Sequence, residues 1–165
     1  MRTIKKIIVH CSDSDFGDAE TIKRWHTGPK PKGNGWKDIG YHFVILNGVR
    51  EHGREYDPAL DGFFELGRDI SLAGAHCKGH NADSIGVCLI GRRCFTGKQL
   101  YKTLPWLLAA LMDQYKIPIT EVYGHHDFDP SKECPCIATD QIRNAVRALD
   151  SQESPSPGRT VKHGN

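Results

Sequence analysis

At 165 residues, 38% of them hydrophobic and 25% charged, the chain fits one globular domain that buries roughly 70% of the surface its unfolded form exposes. A formal charge of +2 and a pI near 8.2, with no Lys/Arg run, argue against an electrostatic nucleic-acid binder. The N-terminal MRTIKKIIVHCSDSD holds only Ile7 to Val9 as an apolar run before His10 interrupts it, too short for a signal peptide or a membrane span. The expectation is synthesis in the cytoplasm. Six cysteines at irregular spacing (Cys11, Cys77, Cys88, Cys94, Cys134, Cys136) read as thiols rather than a disulfide framework in such a chain.

Taken in chain order, IKKIIVHCS (4–12) is a short β-branched strand closed by polar turn formers. DAETIKRWH (18–26) reads as a helix with Asp18 at its N-cap and Ala19, Ile22 and Trp25 on one face. A Gly/Pro loop leads to a second strand, IGYHFVIL (39–46), followed by the Asn47-Gly48 turn signal. DGFFELGRD (61–69) is the return arm of that hairpin, and SIGVCLIG (84–91), nearly all apolar, suits a central strand covered on both faces. Residues 104–115 are helical by periodicity, with Pro105 in the first turn and Pro118 as a stop. ITEVYGHH (119–126) reads as a last strand and TDQIRNAVRAL (139–149) as a terminal helix. The fold class predicted is therefore α/β: a single domain, residues 1–149, with a mixed central sheet flanked by helices. Residues 150–165, rich in Ser, Pro and Gly, are expected to form a flexible C-terminal tail, since so little apolar surface cannot offset the entropy of ordering.

GHHDFDPSKECPC (124–136) concentrates strong metal ligands where almost no aliphatic residue is available. His10 ends the first strand, His125 and His126 close the last, and Cys134 lies in the loop beyond. Strand ends that neighbour one another would bring these groups together at the rim of the sheet. A catalytic zinc site takes three protein ligands and leaves one position open, and His10, one of the tandem histidines and Cys134 could supply them. A closed structural site built from His125, His126, Cys134 and Cys136 is the other reading. CxC is not the usual CxxC knuckle, however, and no second ligand pair lies at the expected distance.

IIVHCS, DIGYHFVI, GAHCKGHNADSIGVCLIG and GHHDFDPSKECPC occur in an order and at separations that resemble the zinc-dependent N-acetylmuramoyl-L-alanine amidases. That family includes short phage lysozymes with amidase activity and is related to the peptidoglycan recognition proteins. The resemblance covers most of residues 4–149. It implies an amidase fold, a Zn2+ cofactor and peptidoglycan as substrate, with His10, His125 and Cys134 as metal ligands and Tyr41 and Lys132 as the catalytic pair. It places His76 beside the zinc pocket, where it could contact substrate or stand as a satisfied, partly buried histidine, and Lys78 and Asn81 of the same segment could also line the groove. Counting back from Cys134 by the spacing of the shortest phage members would select His126, whereas the Gly-His-x-Asp frame selects His125. Removing residues 47–60 would restore the simpler family hairpin. This insertion reads as a surface loop or, through Tyr56 or Arg54, as a wall of the substrate groove.

The implied activity is hydrolysis of the amide between N-acetylmuramic acid and L-alanine by a phage or prophage endolysin, a monomer that reaches the cell wall after release. The alternatives are a peptidoglycan-binding module without catalysis and a regulatory partner protein. Non-catalytic relatives typically lose the ligand that corresponds to Cys134. No Glu stands in an HExxH arrangement, so the general base of that zinc hydrolase class is missing.

Overall fold

Alternation along the strands decides the layers of this molecule. The computed structural model describes residues 2–152. Its five strands are β1 (Lys6–Cys11), β2 (Phe43–Asn47), β3 (Asp61–Leu66), β4 (Ser84–Leu89) and β5 (Val122–Gly124), in spatial order β3-β2-β4-β1-β5. Only the β2–β3 hairpin is antiparallel, with an irregularity between Ile45 and Asn47; β2–β4, β4–β1 and β1–β5 are parallel. The sheet is mixed, as expected.

One set of alternating side chains (Ile7, Val9, Phe43, Ile45, Ile85, Val87, Leu89) packs against α2 (Leu104–Tyr115) and α3 (Thr139–Gln152) through Leu104, Leu107, Leu108, Leu111, Ile142 and Val146. The opposite set, Val44, Leu46, Cys88 and Ile90, meets Ile22 of α1 (Ala19–Thr27) and Ile39. Each fully buried aliphatic side chain here contributes about 1.5–3 kcal/mol of transfer free energy. β4 is buried along its whole length at the centre of the sheet, which is why its sequence lacks the polar alternation of a half-exposed strand.

Asp18 caps α1 as predicted, accepting a hydrogen bond from the Thr21 amide at 2.8 Å, a contact worth about 1 kcal/mol. Other boundaries differ from the sequence reading. Residues 39–42 precede β2 rather than belonging to it, because Gly40 lies against the Ala75 carbonyl and the chain turns there. β5 is only three residues long, flanked by 3-10 turns at Ile119–Glu121 and His125–Asp127. A π-helical turn, Gln99–Thr103, precedes α2; Pro105 offers no N–H to the first turn, so the ladder there widens. α3 continues to Gln152, past the expected end at 149, and the remainder of the expected tail lies outside the described residues. No helix among the described residues is long and apolar enough to cross a membrane.

Candidate metal centre

The pairing of β1 with β5 sets Val9 opposite Gly124, so His10 and His125, each the next residue in its chain segment, leave the sheet side by side. Their ring centroids lie 4.6 Å apart. The turn that carries His125 is closed by Asp127, whose Oδ2 accepts from the Gly124 amide at 2.9 Å and from the Thr139 hydroxyl. The chain then loops out and returns at Cys134, whose carbonyl accepts from the His126 amide at 2.8 Å. The Cys134 sulfur accepts from the Cys11 amide at 3.2 Å and stands 3.8 Å from His10 Nδ1.

One ligand atom from each of His10, His125 and Cys134 lies within 4.8 Å of the others. Around a tetrahedral zinc with ordinary bond lengths, such atoms would be about 3.3–3.6 Å apart, so the cluster needs only a small contraction to hold an ion. A mixed imidazole and thiolate set suits zinc among the divalent metals, and an amide N–H aimed at the sulfur is the kind of outer support that thiolate ligands receive. The residues present therefore fit the metal.

His10 is buried, and that burial, with His76 and His125 adding, holds its imidazole well below the ordinary pKa. It is neutral and able to act as a ligand. His125 is lowered too, chiefly by burial; the Lys132 ammonium adds to this and Asp129 opposes it. Lys132 itself is exposed at the rim. The Tyr41 ring packs 5.0 Å from His10 and 5.5 Å from His26. Burial, then the thiols of Cys88, Cys134 and Cys11, raise its phenol well above the ordinary value, which leaves a neutral O–H at neutral pH.

His126 turns away from this cluster. Its Nδ1 lies 3.2 Å from the Cys134 carbonyl and its Nε2 3.3 Å from the Thr139 hydroxyl. His76, read as a substrate contact or a satisfied, partly buried histidine, is buried behind His10, with Nδ1 3.0 Å from His10 Nε2. The Asn81 side-chain oxygen, also expected in the groove, accepts from the backbone amides of His76 and Cys77 at 2.8 and 3.0 Å and so organises the loop. Lys78 is exposed. All six cysteines are free thiols.

In the 47–60 insertion, the Tyr56 hydroxyl donates to Asp61 at 2.8 Å and Arg54 pairs with Glu51 at 3.3 Å. His52 stacks edge-on against Phe16 at 5.5 Å, docking the loop on the segment between β1 and α1. These contacts favour the surface-loop reading. His26 escaped sequence reasoning. Its Nδ1 accepts from the Gly40 amide at 2.9 Å and its ring lies between those of Trp36 and Tyr41; burial, with Arg68 adding, lowers it to about 4. A lone histidine on a helix carries no local signal of such a position.

Comparison with known proteins bears on the family and the fold. The model of the N-acetylmuramoyl-L-alanine amidase family matches residues 1–137. The endolysin of Klebsiella phage KP32 is 37% identical over 142 residues, covering 79% of each chain, and that of Enterobacteria phage T3 is 36% identical over 144, covering 81% of each. Among solved structures, the amidase LysC from Clostridium intestinale superposes with a TM-score of 0.71 at 24% identity, over 88% of this chain and 87% of that one. Drosophila PGRP-LB gives 0.61 at 23%, over 93% and 82%, so the fold is shared with both. A family match over most of the chain, joined to relatives above one-third identity, places this protein in the N-acetylmuramoyl-L-alanine amidase family.

Proposed function

We propose that the protein is a zinc-dependent endolysin that hydrolyses the amide between N-acetylmuramic acid and L-alanine in bacterial peptidoglycan. The observation that carries this reading is the convergence of His10, His125 and Cys134 at the carboxyl ends of two neighbouring parallel strands, in a chain of the amidase family. A zinc ion held by these residues would lower the pKa of water to about 7 and polarise the scissile carbonyl.

The chain's own groups supply the rest. Lys132, two residues before Cys134 and near enough to His125 to depress its pKa, offers a positive charge for the oxyanion of an attacked carbonyl. Tyr41, kept neutral by its surroundings, offers an O–H that can donate to that oxyanion or pass a proton. His10, kept neutral by burial, retains its lone pair as a ligand. The intact ligand set and catalytic pair favour an enzyme over a binding module. Cys134→Ala tests the reading: purified variant should lack the zinc of the wild type and release no dye from labelled cell walls, whereas wild-type activity persisting in a zinc-free variant would refute it.

A further inference from the structure

We infer that His76 is a positioning residue that decides which nitrogen of His10 is free to take a metal. The inference deepens the zinc-amidase reading and rests on it. His10 Nδ1 faces the Cys134 sulfur at 3.8 Å, and its Nε2 lies 3.0 Å from His76 Nδ1. Two imidazole nitrogens at that separation share one proton, and the ring that keeps it determines the lone pair left for the ion.

The choice is made one step further back. Ser84 is fully buried and its hydroxyl donates to the His80 carbonyl at 2.6 Å. That hydroxyl has only one proton, so toward His76 Nε2, 3.3 Å away, it can only accept. His76 therefore carries its proton on Nε2. Buried, with an imidazole and a hydroxyl rather than a carboxylate at its two nitrogens, the ring carries no second proton, and so its Nδ1 is a bare acceptor. His10 must donate from Nε2, and its Nδ1 lone pair is left facing the site. A chain of three hydrogen bonds thus runs from a backbone carbonyl to the metal-facing atom, the outer support that orients ligating histidines elsewhere.

The surroundings hold the His76 ring in this place. Asn81 accepts from the backbone amides of residues 76 and 77, and the ring lies against two glycines. A Cβ on Gly74 would come within 2.4 Å of His76 Cδ2, and one on Gly86 within 2.6 Å. A glycine at the middle of a central strand is costly; here it makes room for an imidazole beneath a ligand.

The test uses the full chain, metal-free and zinc-loaded. Long-range proton–nitrogen NMR correlations on the metal-free protein should report His10 and His76 both protonated on Nε2. Zinc affinity, measured by chelator competition, should fall roughly 10–100-fold in His76→Leu, which fills the space without an acceptor. His76→Asn, which places an oxygen where Nδ1 stood, should stay within about threefold of wild type. A ring that only fills space would give the opposite order, with leucine better tolerated than asparagine. That order, or a His10 protonated on Nδ1, overturns the inference. Should His76→Leu fail to fold, Ser84→Ala carries the same test: loss of the single His76 tautomer and weaker zinc binding support the inference, and an unchanged tautomer with unchanged affinity refutes it. Wild type that binds no zinc would instead refute the zinc reading, while the tautomers still judge the relay.

Discussion

Val9 and Gly124 are register partners across β1 and β5, and this one pairing brings His10 beside His125 while His126 swings toward Thr139. The two tandem histidines should therefore separate by function. His125→Ala should weaken zinc binding by more than about 100-fold, beyond what outer partners carry, whereas His126→Ala should retain nearly full zinc occupancy. Metal analysis of the two purified variants after dialysis makes the comparison, and the reverse order would assign the site to the other ring.

Lys132→Ala should leave zinc content unchanged and lower turnover by about 10²–10³, the usual consequence of removing one oxyanion donor. Tyr41→Phe should lower turnover by about 10²–10⁴ if the hydroxyl transfers a proton. Steady-state rates on purified peptidoglycan, normalised to bound zinc, distinguish these effects from simple loss of metal.

Gly86 faces His76 from the centre of β4, and a methyl group there would meet the ring at 2.6 Å. Since that ring is held by hydrogen bonds at both nitrogens, it cannot give way cheaply. Gly86→Ala should cost about 1–3 kcal/mol, as overpacking does, read from urea denaturation of the metal-free protein. A variant as stable as wild type would show the ring to be mobile.

His42 is buried, accepts from the Gly86 amide at 2.9 Å and lies near Arg2. Burial, with Arg2 adding, lowers it to about 4 from an ordinary 6.5. Below pH 6.5 the unfolded chain gains a proton that the folded one refuses. Stability present above that pH is therefore lost on acidification, and the loss levels off near pH 4, where the folded form also protonates. At pH 5 the loss from this group is on the order of 2 kcal/mol. Urea midpoints of metal-free protein at pH 7 and pH 5 should show it, with a smaller drop in His42→Asn. Equal drops would remove His42 as the cause.

Much of this was legible in the chain. The unbroken apolar run of β4 announced a central strand, Asp18 announced a helix start, and the placing of His10, His125 and Cys134 at and beyond strand ends announced that they cluster. What was hidden depended on contacts between distant segments. His125 and His126 looked like the end of a strand because the turn they form is fixed by contacts of the Gly124 amide with Asp127 and with Thr139, fifteen residues on. His76 could be read as a groove residue or a buried one, because nothing in its glycine-rich loop reveals that it lies over Gly86 and beneath His10. The early end of the 39–46 strand reading likewise reflects a backbone approach to Ala75 that no local pattern encodes.

Identification of the bond that breaks is the most direct test. Purified peptidoglycan should be digested with zinc-loaded wild type and the products analysed by mass spectrometry and end-group labelling. The account predicts new L-alanine amino termini and freed muramic-acid lactyl carboxyls, abolished by chelator and restored by zinc. Newly formed reducing sugar ends, or intact walls after treatment with metal-replete protein, would contradict it.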